Sequence, residues 1–229
     1  MASHFTLTLD TQAPANPTLL LNSGSALTGD PVVAVSLGST DLGGGANDLA
    51  QMRLWGDVDP TADPFVQPTE AASTWQAFAA DYVVRFTAST GRKTLRARLK
   101  DDVCNTTVEF CDFIDLDLTS AVVTITTAID RGRISKVAPC DSALFLWQTN
   151  QDFIAYQIRV VPSAGSPHLA GVALGTAHGS GNAAGVGVFP ASTPITTVVN
   201  GADLEAASPG DTRKIVKVFV QSAAGVWSS

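Results

Sequence analysis

Apolar residues in this chain alternate with polar ones in short runs, and dense turn punctuation separates the runs. A period of two fits a strand with one buried face and does not fit a helix, whose apolar stripe recurs every three to four residues. Candidate strands are Phe5–Leu9, Thr18–Asn22, Val32–Leu37, Gln51–Trp55, Tyr82–Phe86 and Lys93–Lys100, then Val122–Thr127, Ala143–Trp147, Ala155–Val161, Ile195–Val199 and Lys214–Gln221. Val, Ile, Leu, Thr and aromatic residues fill them, which suits a pleated, half-buried surface. Breakers such as Asn22-Ser23-Gly24, Thr28-Gly29-Asp30-Pro31, Gly43-Gly44-Gly45 and Ser208-Pro209-Gly210-Asp211 bound them. The best short helical candidate is Ala71–Ala80, which reads equally well as a strand pair. Many short strands between turns favour a β-sandwich over a parallel α/β fold.

A weak internal repeat divides the chain. Arg92-Lys93-Thr94-Leu95-Arg96-Ala97-Arg98-Leu99-Lys100 is echoed by Arg213-Lys214-Ile215-Val216-Lys217-Val218-Phe219-Val220-Gln221, each after a glycine-containing turn. Leu9-Asp10-Thr11 is echoed by Leu116-Asp117-Leu118, read here as two domain openings. The spacings are 121 and 107 residues, so the second copy carries an insertion, for which the Gly-rich run Gly165–Gly187 is the natural place. The expectation is all-β: two tandem immunoglobulin-like β-sandwich domains, residues 1–116 and 117–229, the second with the Gly-rich insertion.

Composition closes off several classes. Hydrophobic residues make up 45% of the chain and charged ones only 15%, opposite to the disordered signature. No run of about 18 uncharged apolar residues exists, so no membrane-spanning helix is expected. Met1-Ala2-Ser3-His4-Phe5 lacks the basic start and apolar run of a signal peptide. The net charge of −7 argues against general nucleic-acid binding, which needs surplus Lys and Arg against phosphate. Arg96, Arg98 and Lys100 alternate with Ala97 and Leu99, the pattern of one solvated strand face, with an acidic partner surface as the other reading. Cys104, Cys111 and Cys140 are too few for a disulfide framework and lack zinc-ligand spacing, so reduced, mostly buried thiols are expected.

The first half resembles an immunoglobulin-like module found in bacteriophage virion proteins and some bacterial surface proteins. The residues that carry the likeness are Leu9-Asp10-Thr11-Gln12-Ala13-Pro14, Leu19-Leu20-Leu21-Asn22-Ser23-Gly24, Val33-Ala34-Val35-Ser36-Leu37, Ala50-Gln51-Met52-Arg53-Leu54-Trp55, Thr74-Trp75 and the run from Gly91 to Asn105. The family closes this last strand with an Asp-Ala-Ala-Gly-Asn turn. Asp101-Asp102-Val103-Cys104-Asn105 stands here instead, without the glycine. The second half resembles another module of the same phage repertoire, through Ala155–Pro162, Asn200–Ser208, Lys214–Gln221 and Ala223-Ala224-Gly225-Val226-Trp227-Ser228, with Val226 where an Asn is expected. The resemblance implies a non-enzymatic virion protein of tail, baseplate or capsid decoration, assembled in the host cytoplasm. Other virion proteins would be its partners, in a homo-oligomer or a multi-copy assembly.

The residues themselves offer little chemistry. His4, His168 and His178 fit no HExxH motif, and no GxSxG elbow is present, so no catalytic residue is assigned. Gly179-Ser180-Gly181-Asn182-Ala183-Ala184 fits GxGxxA, but the glycines that follow cannot continue into a helix, and no cofactor is expected. Two acidic clusters, Asp57/Asp59/Asp63 and Asp112/Asp115/Asp117 at the domain junction, could each begin a calcium site or simply be a solvated turn and a linker. Trp55 and Trp147 read as core. Trp75 and Trp227, with the Gly-rich loop, support a rival reading as an adhesin for a host glycan or receptor.

Overall fold

The computed structural model describes residues 6–7, 9–40, 49–127 and 132–229. The chain divides into two compact units, Met1–Leu118 and Thr119–Ser229. Both are β-sandwiches.

In the first unit, β1 (Ala15–Leu21), β3 (Val32–Thr40) and β6 (Asp81–Arg85) form one sheet in the order β1-β3-β6. The second sheet is built from β2 (Leu27–Thr28), β4 (Leu49–Gly56), β5 (Gln76–Ala77), β7 (Gly91–Asp101) and β8 (Phe110–Leu116), in the order β2-β8-β7-β4-β5. Period-two alternation decides which side chains meet between them. Leu19, Leu21, Val33, Val35 and Val84 from one sheet pack on Met52, Leu54, Leu95, Leu99 and Ile114 from the other in one buried cluster. The short β2 runs parallel to β8, pairing Leu27 with Asp115, and the other pairings between these strands are antiparallel. Strands close in sequence thus alternate between two facing sheets, the Greek-key order of an immunoglobulin-like sandwich.

The second unit repeats that order. Here β9 (Val123–Thr127), β10 (Ser142–Thr149) and β14 (Ile195–Asn200) form the sheet β14-β10-β9. Facing it, β11 (Phe153–Val161) pairs with β15 (Ile215–Gln221) on one edge. Its other edge pairs with β13 (Ala184–Phe189) and then β12 (Val172–Ala173). Trp147, fully buried, contacts the rings of Phe153 and Tyr156, and its indole N–H donates to Thr197 Oγ1 at 2.9 Å. β7 and β15, the two late strands of the sequence repeat, hold equivalent places beside β4 and β11. The Gly-rich stretch falls between β11 and β14, where 33 residues stand against 24 between β4 and β6.

Several expectations need correction. Ala71–Ala80 is not helical: it is a turn followed by β5. The one α-helix among the described residues is α1 (Gly201–Ala207), capped by the Asn200 side chain, which accepts from the Ala202 N–H at 2.8 Å. The thiols are exposed, not buried, and all three are unpaired. Asp112 and Asp115 do not belong to a linker but to β8, a strand the pattern missed. Of Phe5–Leu9, Phe5 and Thr8 lie outside the described residues, and Thr6, Leu7 and Leu9 belong to no strand. Gly43–Gly45 also lie outside the described residues.

Two local solutions are informative. Asp101, buried, accepts from the N–H groups of Val103 and Asn105 and from Asn105 Nδ2, which closes the turn after β7. Cys104 there has φ +76°, so it occupies a left-handed conformation at the position where the resembled turn carries glycine. Asp203 on α1 is 2% exposed and accepts from the N–H groups of His178 and Ser180, both at 3.0 Å. Burial pushes its carboxyl up, but the bonds from Ser180 and His178 outweigh this and hold it below the ordinary carboxylate value. One side chain thus fixes the Gly-rich stretch to the sandwich.

Cys104→Gly is expected to stabilise the first unit by about 1 kcal/mol in chemical denaturation, because glycine adopts this backbone without the Cβ penalty. Asp203→Ala is expected to cost about 2–3 kcal/mol, since two N–H donors lose a charged acceptor. Hydrogen exchange at residues 178–180 would accelerate in the same variant.

Candidate functional site

The second unit carries an open groove between β9 and β15. Its floor is core: Ala143, Phe145 and Val199 line it and are nearly inaccessible. Its walls are Val123 and Ile125 of β9 and Val216 and Val218 of β15, around a cavity of 1590 Å³. Ile125 pairs with Trp147 across the sheet yet remains 51% exposed, because nothing among the described residues covers it.

Backbone polarity sharpens the picture. Ile158 of β11 donates its N–H to Ala183 and accepts from Leu174, so it bonds away from its neighbour Val218. The alternation of an antiparallel ladder then turns the N–H and C=O of Val216, Val218 and Val220 to the outer edge of β15. Val220 is satisfied there: Ser228 N–H donates to its carbonyl and its own N–H donates to Ser228 Oγ. Val216 and Val218 find no backbone partner on that edge among the described residues. In the first unit the same place beside β7 is filled by β8, which sends Ile114 and Leu116 into the core. Arg133, Lys136, Arg213 and Lys214 stand around the groove against Glu205 and Asp211, so its rim is basic.

The outer face of the same unit holds an aromatic cluster. His168 stacks on Trp227 with ring centroids 3.9 Å apart, Phe219 meets the imidazole edge-on, and Gln157 Oε1 lies 3.0 Å from His168 Nε2. Burial, and then the nearby Arg159 guanidinium, lower the His168 pKa. On the first unit, Arg96, Arg98 and Lys100 lie on the outward face of β7, whereas Lys93 turns inward and donates to Thr87 and Ser89. Lys100 sits over the Trp75 ring at 4.0 Å, and Arg98 pairs with Glu70 at 3.3 Å.

The structure does not gather the two acidic clusters. Asp57 accepts from the Thr94 N–H, and Asp59 from the N–H and hydroxyl of Thr61. Asp63 accepts from the Phe65 N–H and the Tyr82 hydroxyl, and burial with that carboxylate pushes Tyr82 up to about 12. Asp112 spans to β1, where it accepts from the Leu21 N–H at 2.9 Å, while Asp115 pairs with Arg92. Each of these is committed to a turn, a strand edge or a cation, and no group of three metal-ligating side chains forms among the described residues. Trp55 and Trp147 are core, as their strands imply. His4 lies outside the described residues. Sequence reasoning missed the groove, although Val216 and Val218 were read as strand residues, because an unfilled edge leaves no mark in a periodic pattern.

No family model and no curated protein matches the chain. Among solved structures, the fibronectin(III)-like modules of CbhA from Clostridium thermocellum are similar at 8% identity and a TM-score of 0.44, over 93% of this chain and 90% of that one. The D00-D0 domain of intimin aligns at 10% identity and a TM-score of 0.26, over 90% and 98% of the two chains. Dimeric latent PorU from Porphyromonas gingivalis aligns at 14% identity and a TM-score of 0.29, over 93% of this chain and 19% of that one. The fold described above rests on strand order and register.

Because its folded-state pKa is depressed, His168 contributes stability that is fully present above the unfolded value of about 6.5 and declines as pH falls below it. Relative to His168→Gln, the native chain is expected to lose thermal midpoint from pH 7 to pH 5, with Trp227 fluorescence changing over the same range.

Proposed function

We propose that this chain is a non-enzymatic structural protein of a bacteriophage virion, which assembles through its β-sandwich edges and loops with tail, baseplate or capsid subunits. The observation that supports it best is the groove of the second unit, where core side chains lie open together with the backbone N–H and C=O groups of Val216 and Val218, which have no backbone partner on that edge among the described residues. An open strand edge is a template for another strand, and natural domains that carry one cover it or use it. The phage setting rests on the residue resemblance. Catalysis has little to build on: His168 is engaged by Gln157 and Trp227, and no hydroxyl or carboxylate among the described residues bonds to the ring.

The adhesin reading draws less support. A sugar platform needs a free aromatic face, and Lys100 lies over Trp75 while His168 covers one face of Trp227.

Mass spectrometry of purified particles of the phage that encodes the chain tests the proposal. The chain is expected in the particle at a fixed copy number. Its absence from particles, together with binding to host cells that Trp75→Ala abolishes, would replace this reading with the adhesin.

A further inference from the structure

We propose that the groove between β9 and β15 is a donor-strand site, and that its occupant is the N-terminal arm, residues 5–10, of a second copy of this chain. The inference rests on reading the groove as an assembly site and adds the identity of what fills it.

Four observations converge on this occupant. The first is the demand. The groove offers the outward N–H and C=O groups of Val216 and Val218 for hydrogen bonding, and an apolar floor of Phe145 and Val199 for side chains. A strand laid there antiparallel to β15 would satisfy both at once, as in other β-augmentation complexes.

The second is the supply. Phe5-Thr6-Leu7-Thr8-Leu9-Asp10 alternates apolar and polar residues without a break. Leu7 and Leu9 are 81% and 86% exposed and belong to no strand. Isolated exposed leucines are ordinary, but two at period two supply the apolar face that a strand would need, and nothing among the described residues covers them. Six residues extend about 20 Å, matching the seven residues of β15.

The third is the template inside the chain. The first unit fills its own equivalent position with β8, whose Ile114-Asp115-Leu116-Asp117 buries Ile114 and Leu116 and leaves Asp117 after the strand. Leu7-Thr8-Leu9-Asp10 has the same pattern. The likeness of Leu9-Asp10 to Leu116-Asp117 therefore does not mark two domain openings. It relates the arm to the strand that closes a sandwich.

The fourth is charge. The first unit, which carries the arm, holds seven bases and fifteen acids, whereas the second holds seven bases and six acids. The rim residues Arg133, Lys136, Arg213 and Lys214 give the groove the sign that attracts an acidic donor unit. The contact joins two different surfaces of one chain. It is heterologous, so copies join head to tail into a ring or a filament.

Sedimentation velocity of the full chain over a concentration series, at low and high salt, tests the proposal. Concentration-dependent oligomers are expected, weakened by salt. They should disappear in the Leu7→Asp/Leu9→Asp variant, whose circular dichroism and melting stay native because both positions are exposed in the single chain. A second measurement uses chains with Cys104, Cys111 and Cys140 changed to Ser. One carries Leu9→Cys and the other Ile125→Cys, and oxidation of the mixture is expected to join the two copies. Oligomers that persist in the double Asp variant overturn the inference, as does a chain that stays monomeric throughout. A cross-link formed only within one chain, when both cysteines are placed together, overturns the second-copy assignment. Failure here with the chain still present in particles sinks the arm and leaves the virion reading standing. Arm-dependent oligomers from a chain absent from particles do the reverse.

Discussion

Edge pairing governs both halves of this molecule. A strand bonded on one side only leaves a row of N–H and C=O groups, and in a sandwich that row runs beside the seam where the two sheets meet. Closing the seam therefore takes a strand that bonds backbone and fills core together. In the first unit β8 does this along β7, sending Ile114 and Leu116 inward, and Asp112 reaches across to the Leu21 N–H at the edge of the opposite sheet. The seam is shut by one strand and one carboxylate. In the second unit the return at Val226–Ser228 satisfies Val220 and Ser222, and among the described residues the seam remains open over Val216 and Val218.

The open seam borders a well-made core, in which the groove residues Phe145, Val199 and Val218 join one buried cluster with the aromatic side chains. Trp147, Phe153, Tyr156 and Phe189 pack against one another near β13. Gly185 makes that packing possible, since a Cβ there would meet the Tyr156 ring at 2.4 Å. The α1 helix and the Asp203 carboxylate then tie the long connection between β11 and β14 to the body. The backbone of Gly201 approaches Ser135 so closely that a Cβ would lie 2.0 Å from its carbonyl oxygen.

Much of the fold was legible in the sequence because the signal was one of simple period. Val33/Val35/Leu37 and Leu95/Ala97/Leu99 alternate cleanly, and the strands they mark are present. β8 escaped because Cys111, Asp112 and Asp115 break its apolar run: Cys111 and Asp115 lie on its outward side, Asp112 shares the face of Ile114 and Leu116, and the two aspartates were read as part of a junction. α1 escaped because Gly201 and the β-type strand before it mask a seven-residue helix, although Asn200 was a readable cap. The exposed thiols escaped because burial of cysteine is a statistical habit, and Cys104 sits in a turn whose backbone is dictated by Asp101. The candidate site was the least legible. Its walls are ordinary strand residues, and what makes them a site is that no neighbour among the described residues runs along Val216 and Val218.

That absence also changes the meaning of the chain's low charge. Charge at 15% could describe any modest β protein, but here it is divided unequally, with the surplus acid in the first unit and a basic rim around the groove of the second. Unequal division with complementary signs favours contacts between unlike surfaces, because like-charged rims disfavour the symmetric alternatives. A groove that demands a strand, an arm patterned as one and a charge bias toward unlike contacts act in the same direction. Backbone pairing would supply the register, Leu7 and Leu9 the burial, and the rim charges the choice of partner.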